Sequence, residues 1–334
     1  MPPAPSANKA LSAILPQIAE GHAYEAHQKA RTFASRYTKS GQHAVAIEVL
    51  FQSARELLKT GQQGSGTDLA VMMLDAYDAA DVGVDDESRG RVTQLIALVG
   101  PGQTWRKTVV DKAVAWSAKY GECPAGDPDL HHYIGELLYK EGAFVQAEPH
   151  LLSAGKRDSA RLLGQLLAEW SKAGSSSDLG LFAARGTLPY LELENILAAR
   201  AFLRSFLATA SLPGTTALPV GDSGDEIVLT SDNLLNFLQL AVPTLQRAPS
   251  PRAREAWTRL VGTYSTKGGA ITHPEIRKAI QDLSATYFNI QPPRPAGNPF
   301  GDLLSGLFGG GGAPPGAGAG RGRPGARPAA VGLD

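Results

Sequence analysis

One cysteine, Cys123, stands in 334 residues. A lone thiol excludes an intramolecular disulfide and any cysteine-cluster metal site. Net charge is also absent: 32 basic residues face 32 acidic ones. No global basic field exists to hold nucleic acid. No apolar run nears the roughly 20 residues of a membrane span. The opening MPPAPSANK holds no apolar signal core. These absences predict a cytosolic protein with no metal, no cofactor, no nucleic-acid partner and no direct insertion into a membrane.

What is present is helical pattern. Hydrophobic residues make up 43% of the chain, enough for a folded protein. The informative stretch runs from Ala23 to Thr60. Tyr24, His27, Ala30, Phe33 or Ala34, and Tyr37 recur every three or four residues, one stripe of a helix. Lys39-Ser40-Gly41-Gln42 breaks it. Ala44, Ile47, Leu50, Phe51, Ala54, Leu57 and Leu58 then make a second stripe. Two such helices on a Ser-Gly turn form an α-hairpin. One hairpin cannot cover its own stripe, so it needs neighbours, as in helical repeat proteins.

The rest of the chain extends this reading. Lys9 to Ala19 predicts a first helix, with Pro16 as a kink or start. Gly61-Gln62-Gln63-Gly64-Ser65-Gly66 reads as a turn, with Ser65 or Thr67 capping the next helix. Further helices are expected over Arg91–Val99, Thr104–Tyr120, from Asp127-Pro128, over Phe144–Ala154 and over Asp158–Lys172. Ser175-Ser176-Ser177-Asp178 is expected to cap another, which continues through Leu191 to Thr209. Then SLPGTTALPVGDSG breaks the pattern. Glu226 to Thr230 has strand character, and Thr215 to Val220 can pair with it across Gly221–Gly224. Such a pair offers an edge to another protein. Helices resume at Asp232, Pro251 and His273. From Pro292 onward Pro and Gly dominate, predicting a disordered tail with one short helix at Asp302–Phe308 and a weakly basic end at Arg321, Arg323 and Arg327.

Catalytic patterns are missing. The glycine run at 61–66 lacks the Lys-Ser/Thr pair of a phosphate loop and follows no strand. His131-His132 point about 100° apart on a helix and cannot easily share one ion. Asp85-Asp86-Glu87 reads as a solvated loop and N-cap, and no nucleophile elbow occurs. Nothing argues for an enzyme. Lys29, Arg31, Arg36 and Lys39 cluster with Tyr24 and Tyr37, while Asp68, Asp75 and Asp78 follow. A basic patch beside an acidic one suits an electrostatically steered docking face; a solvated helix face is the other reading.

Five segments, in this order, then carry a resemblance. They are AYEAHQKARTFASRY, GQQGSGTDLAVMMLDAYDAADVGVDD, GDPDLHHYIGELLYKEGAFVQAEPHLL, LLNFLQLAV and YFNIQPPRPAGNPFGDLLSGLFGG. Together, over about residues 9 to 308, the chain resembles the α-helical scaffold subunit of the GET (Golgi-to-ER traffic) pathway for tail-anchored proteins. The equivalent is a subunit of the animal transmembrane-domain recognition complex. The expected fold is an all-α solenoid superhelix of TPR-like hairpins with one β-hairpin insert near residues 213–230. The expected division is a flexible N-terminus at 1–8, an ATPase-docking half at 9–155, a partner-binding half with the β-hairpin at 156–291, and a tail at 292–334.

The resemblance implies a non-catalytic adaptor that bridges two partners. One is the pathway's targeting ATPase, as a nucleotide-bound dimer, and its anchoring face falls on Lys9, Tyr24, Arg36 and Lys39. Asp68 matches a position implicated in regulating ATP hydrolysis. The other is a ubiquitin-like subunit in a stable complex, which recruits the glutamine-rich TPR co-chaperone. Its face is expected to involve Ile227, Val228, Leu229, Phe237 and Leu238. A helical-repeat adaptor of another cytosolic complex is the alternative, and an unrecognised enzyme comes third.

Overall fold

A computed structural model describes residues 7–101, 104–173, 179–210, 212, 215–220 and 225–291. Everything below lies in the unit that ends at Ile290. The helices in order are α1 (Ala7–Ala19), α2 (Ala23–Lys39), α3 (His43–Lys59), α4 (Gln63–Ala79), α5 (Asp86–Leu98), α6 (Thr104–Tyr120) and α7 (Pro128–Lys140). There follow α8 (Phe144–Ala154), α9 (Arg157–Ala173), α10 (Leu179–Glu192) and α11 (Ile196–Thr209). Two strands, β1 (Thr216–Val220) and β2 (Asp225–Leu229), precede α12 (Asn233–Leu245), α13 (Pro251–Ser265) and α14 (Pro274–Phe288). Helices pack chiefly on their nearest and next-nearest neighbours along the chain, the arrangement of an α-solenoid.

Six of the helix-to-helix turns are built alike. In the first, Gly21 N–H donates to Ile18 O at 3.1 Å and His22 N–H to Gln17 O at 2.8 Å. The same pair of bonds recurs at Gly41-Gln42, Gly61-Gln62, Asp81-Val82, Gly142-Ala143 and Glu194-Asn195. This is the Schellman closure, which satisfies the last carbonyls of a helix and requires a left-handed residue. Glycine supplies that residue at four turns, with φ from 73° to 88°. Asp81 and Glu194 adopt it at φ 47° and 56°.

The repeated turn corrects two expectations. The turn expected over 61–66 is closed by Gly61-Gln62 alone, and α4 begins at Gln63. Gly64 and Gly66 are helical. A Cβ on Gly66 would stand 2.5 Å from Leu58 Cγ, so the glycine serves the close packing of α3 on α4. Neither Ser65 nor Thr67 caps the helix; Thr67 is buried inside it. Second, the helix expected to run on through Leu191 stops at Glu192. Asn195 restarts the chain: its Oδ1 accepts from Ala198 N–H at 3.1 Å and its Nδ2 donates to Gly155 O at 2.7 Å. Pro16 lies within α1 and starts no new helix. The Asp85 cap is as expected, in a reciprocal box with Ser88. The features expected at Ser175–Asp178, at the Gly221–Gly224 turn, and from Pro292 onward lie outside the described residues.

The stripe on α2 is turned relative to its expected position. The buried side is Ala26, Ala30, Ala34 and Tyr37, while Tyr24 is 70% exposed. The small residues let α2 lie close to α1 and α3, and the large aromatic at the first turn is left for solvent or a partner.

Buried side chains form two clusters. The first draws on α1 to α7, ending at Leu130 and Ile134. The second begins at Ala147 and Leu151 of α8 and ends at Phe288. Within it α9 and α11 meet backbone to backbone at Gly164, where a Cβ would lie 2.6 Å from Phe202 O. The strands pair antiparallel, Thr216 opposite Leu229 through Val220 opposite Asp225.

Candidate docking faces

The first face is the outer side of α2. That helix carries Lys29, Arg31, Arg36 and Lys39 against the single acid Glu25. Gln28, Arg31, Thr32, Arg36 and Lys39 line one shallow groove. At 1.5 Å per residue, Tyr24 and Lys39 stand roughly 22 Å apart along the axis. A neighbouring recess joins Arg36 and Phe33 to Ala13 of α1, and Lys29 Nζ donates to Ala13 O at 3.3 Å. Lys9 is exposed on the preceding turn of α1. The structure thus places Lys9, Tyr24, Arg36 and Lys39 on the outer surface of one helical hairpin. Among the described residues no carboxylate lies within ion-pair distance of Lys9, Arg36 or Lys39.

Arg31 and the acidic row behave differently. Arg31 Nη1 donates to Asp68 Oδ2 at 2.5 Å, and His27 Nε2 meets the same oxygen at 2.8 Å. Partial burial pushes the Asp68 carboxyl up, but the bonds from His27 and Arg31 outweigh it and hold it below the usual range. Asp68 therefore clamps α4 to α2. Asp75 pairs with Lys112, and Asp78 with Lys119 and the Tyr120 hydroxyl. Asp75 and Asp78 are thus paired with α6, and among the described residues Lys9, Arg36 and Lys39 have no carboxylate partner.

The second face is a recess of about 430 Å³ between α11, β2 and α12. Leu203 and Leu207 of α11, Ile227 and Val228 of β2, and Val242 and Pro243 of α12 give it apolar walls. Arg200 and Arg204 also line it. Leu218, opposite Ile227 in the register, is 45% exposed, and Leu229 is 42% exposed. Opposed residues share a face of the ribbon, so Leu218, Ile227 and Leu229 form one apolar strip.

Two buried amides hold this hairpin to the helix. Gln239 Oε1 accepts from Val228 N–H and its Nε2 donates to Val228 O, both at 2.8 Å. Asn236 does the same for Thr230, at 2.9 and 2.7 Å. The outer edge of β2 is therefore occupied at alternate residues by side chains of α12. That edge is closed to an incoming strand at Val228 and Thr230.

Phe237 and Leu238 require a correction. Both are 0% exposed. Phe237 packs on Trp257 and Tyr264, each at 5.8 Å between ring centroids. Helix α12 is covered on most sides, so these side chains lie behind the recess and are not exposed on its surface. The α11 wall was missed from the sequence. Its signal was available: Arg200, Leu203, Arg204 and Leu207 recur at helical spacing beside the core stripe of Ala199, Phe202 and Phe206.

The family model for Golgi to ER traffic protein 4 matches residues 40–308. The chain belongs to this family. The Aspergillus fumigatus Golgi to ER traffic protein 4 is 32% identical, with 91% of this chain and 90% of that protein covered. The Schizosaccharomyces pombe member is 30% identical over 86% of this chain and 91% of its own. The Homo sapiens homolog is 26% identical over 87% of this chain and 84% of its own. A solved structure, "Crystal structure of C. therm. Get4", superposes with a TM-score of 0.77 at 34% identity, covering 92% of this chain and 97% of that one. As a family member the chain has an all-α solenoid fold with a small antiparallel hairpin, as the resemblance implied. No helix of the described residues is long and apolar enough to cross a membrane.

Proposed function

We propose that this chain is a non-catalytic cytosolic scaffold in the delivery of tail-anchored proteins to the ER membrane. Family membership supports the pathway; the two faces support the division of labour. The α1–α2 face docks the targeting ATPase as its nucleotide-bound dimer. The face around β1, β2 and the α11–α12 recess holds the ubiquitin-like subunit, which brings the glutamine-rich co-chaperone. The observation that carries this reading is the contrast between the faces: unmatched cations on one and apolar walls on the other. A charged, solvated face suits a transient, steered encounter. An apolar recess suits a permanent partner. Asp68, already engaged by His27 and Arg31, is placed to sense anything that competes for Arg31, which fits a regulatory role beside the ATPase face.

Calorimetric titration of the full chain against the ATP-loaded ATPase tests the first face. Binding should weaken with salt. Arg36→Glu should weaken it about tenfold or more, roughly 1–2 kcal/mol, with unchanged helicity. Unaltered affinity would remove Arg36 from the face. For the second face, Ile227→Asp should weaken the ubiquitin-like partner by at least about tenfold while sparing the ATPase. Equal loss of both partners would point to a damaged fold.

A further inference from the structure

His131 of α7 and His150 of α8 meet with their Nδ1 atoms 2.9 Å apart. Their rings lie 5.1 Å apart between centroids. His131 is buried and His150 partly so. The other nitrogen of His131, Nε2, lies 3.0 Å from Ala125 O. A carbonyl only accepts, so Nε2 carries a hydrogen. In the neutral pair His131 Nδ1 is then bare, and His150 Nδ1–H donates to it.

Proton arithmetic limits this contact. One added proton can be held: it adds to His150 Nε2, and a single hydrogen remains between the two Nδ1 atoms. A second added proton places two N–H groups face to face at the same 2.9 Å separation. No acceptor then lies between them, and two cations share one site shielded from water.

The location gives the contact its consequence. Leu130 and Ile134 of α7 belong to the first core; Ala147 and Leu151 of α8 belong to the second. Leu138 packs against both. Leu151 rests on Gly135, where a Cβ would be 2.7 Å from its Cγ. The histidine pair therefore bridges the seam between the two cores. We propose that the His131–His150 contact is a proton-sensitive latch between the two halves of the solenoid, closed when the pair is neutral or singly protonated and opened by the second proton.

The surrounding charges set its working range. Asp127, which caps α7, faces His131, and Asp111 of α6 faces His150. Arg89 of α5 lies 3.6 Å from Asp127 and offsets part of its pull. From α9 the Ser159 hydroxyl binds His132, not this pair. Arg185 of α10 is engaged by Glu148. Burial dominates: it lowers His131 below the usual histidine range and takes His150 from 6.5 to about 4. The opened state thus binds protons more readily than the closed one. The latch is fully effective above the ordinary histidine value of 6.5 and is lost as pH falls toward 4. This holds whether or not the two faces bind the partners proposed above.

Hydrogen exchange of the full chain, corrected for intrinsic rates, tests it. Protection of α7 and α8 amides should fall at least about tenfold between roughly pH 7.5 and 5, while α3 amides keep theirs. His150→Asn retains a donor toward His131 but leaves one titratable imidazole where the wild type has two, so its protection should fall at least about threefold less than the wild type's over the same range. Unchanged protection in the wild type would overturn the latch, and so would an equal fall in His150→Asn. Should that variant fail to fold, the imidazole resonances of the wild type decide. Both histidines titrating near 6.5 would overturn the proposal, and depressed values would support it.

Discussion

Gly164→Ala is expected to lower the stability of the second core by about 3 kcal/mol. The added Cβ would lie 2.6 Å from Phe202 O and 2.9 Å from Phe206 N, both backbone atoms of α11. Backbone cannot swing aside as a side-chain tip can, so α9 and α11 must part along their contact. The same region has no slack on its other side. Phe202 is fully buried, and its ring fills the space a Cβ on Gly186 would need. Gly90, in mid-helix on α5, is the control. A Cβ there would meet nothing within 4 Å, so Gly90→Ala should stabilise the chain by about 0.5–1 kcal/mol through helix propensity alone. Denaturant midpoints of the two variants should move in opposite directions. A loss below about 1 kcal/mol for Gly164→Ala would mean that the helices yield more easily than close packing allows.

Trp257→Ala should cost about 4 kcal/mol, the usual range for removing a buried large aromatic. The side chain is 1% exposed and lies between Phe237 at 5.8 Å and Phe288 at 6.0 Å. Its Nε1–H donates to Ser284 Oγ at 2.9 Å, and that hydroxyl donates to Ile280 O at 2.6 Å. The indole thus joins α12, α13 and α14 at one point. Trp257→Phe keeps most of the ring and loses the donor, so it should cost about 1–2 kcal/mol. Thermal denaturation of both variants checks the order. Equal costs would assign the effect to the hydrogen bond and not to packing.

Most helices were legible because their boundaries are local. Asp85, Asp127 and Asp232 each accept from a backbone N–H three residues on, and each was readable as a cap or helix opening. The strand pair was legible from its β-branched residues and from the break before it. Features decided by distant neighbours were not. Gly66 sits inside a helix against Leu58, and Asn195, which caps the start of α11, is held by Gly155 O; neither partner is marked by spacing. The sites divide the same way. Lys9, Tyr24, Arg36 and Lys39 came from the resemblance, and all four are exposed, Lys9 on α1 and the others on α2. Asp68 was readable as an acid near a basic cluster, but its bond to Arg31 spans 37 residues. Phe237 and Leu238 look like exposed anchors only until α13 is laid over them. The recess escaped notice because its walls come from three elements, and a periodicity scan treats each one alone.

The solenoid's two ends differ as springs. Helix α1 is held chiefly by α2 and α3. At the other end α14 folds back on α10, and the Tyr287 hydroxyl ties to Leu191 O at 2.8 Å across 96 residues. That return contact makes a closed loop of helices, which resists bending in a way that a row of neighbours does not. Thermal motion should therefore collect at the free end, where Lys9 and Tyr24 lie. If the proposed division of partners holds, a compliant tip would adjust its angle to a large, moving one, and a stiff handle would lose little freedom on binding a permanent one.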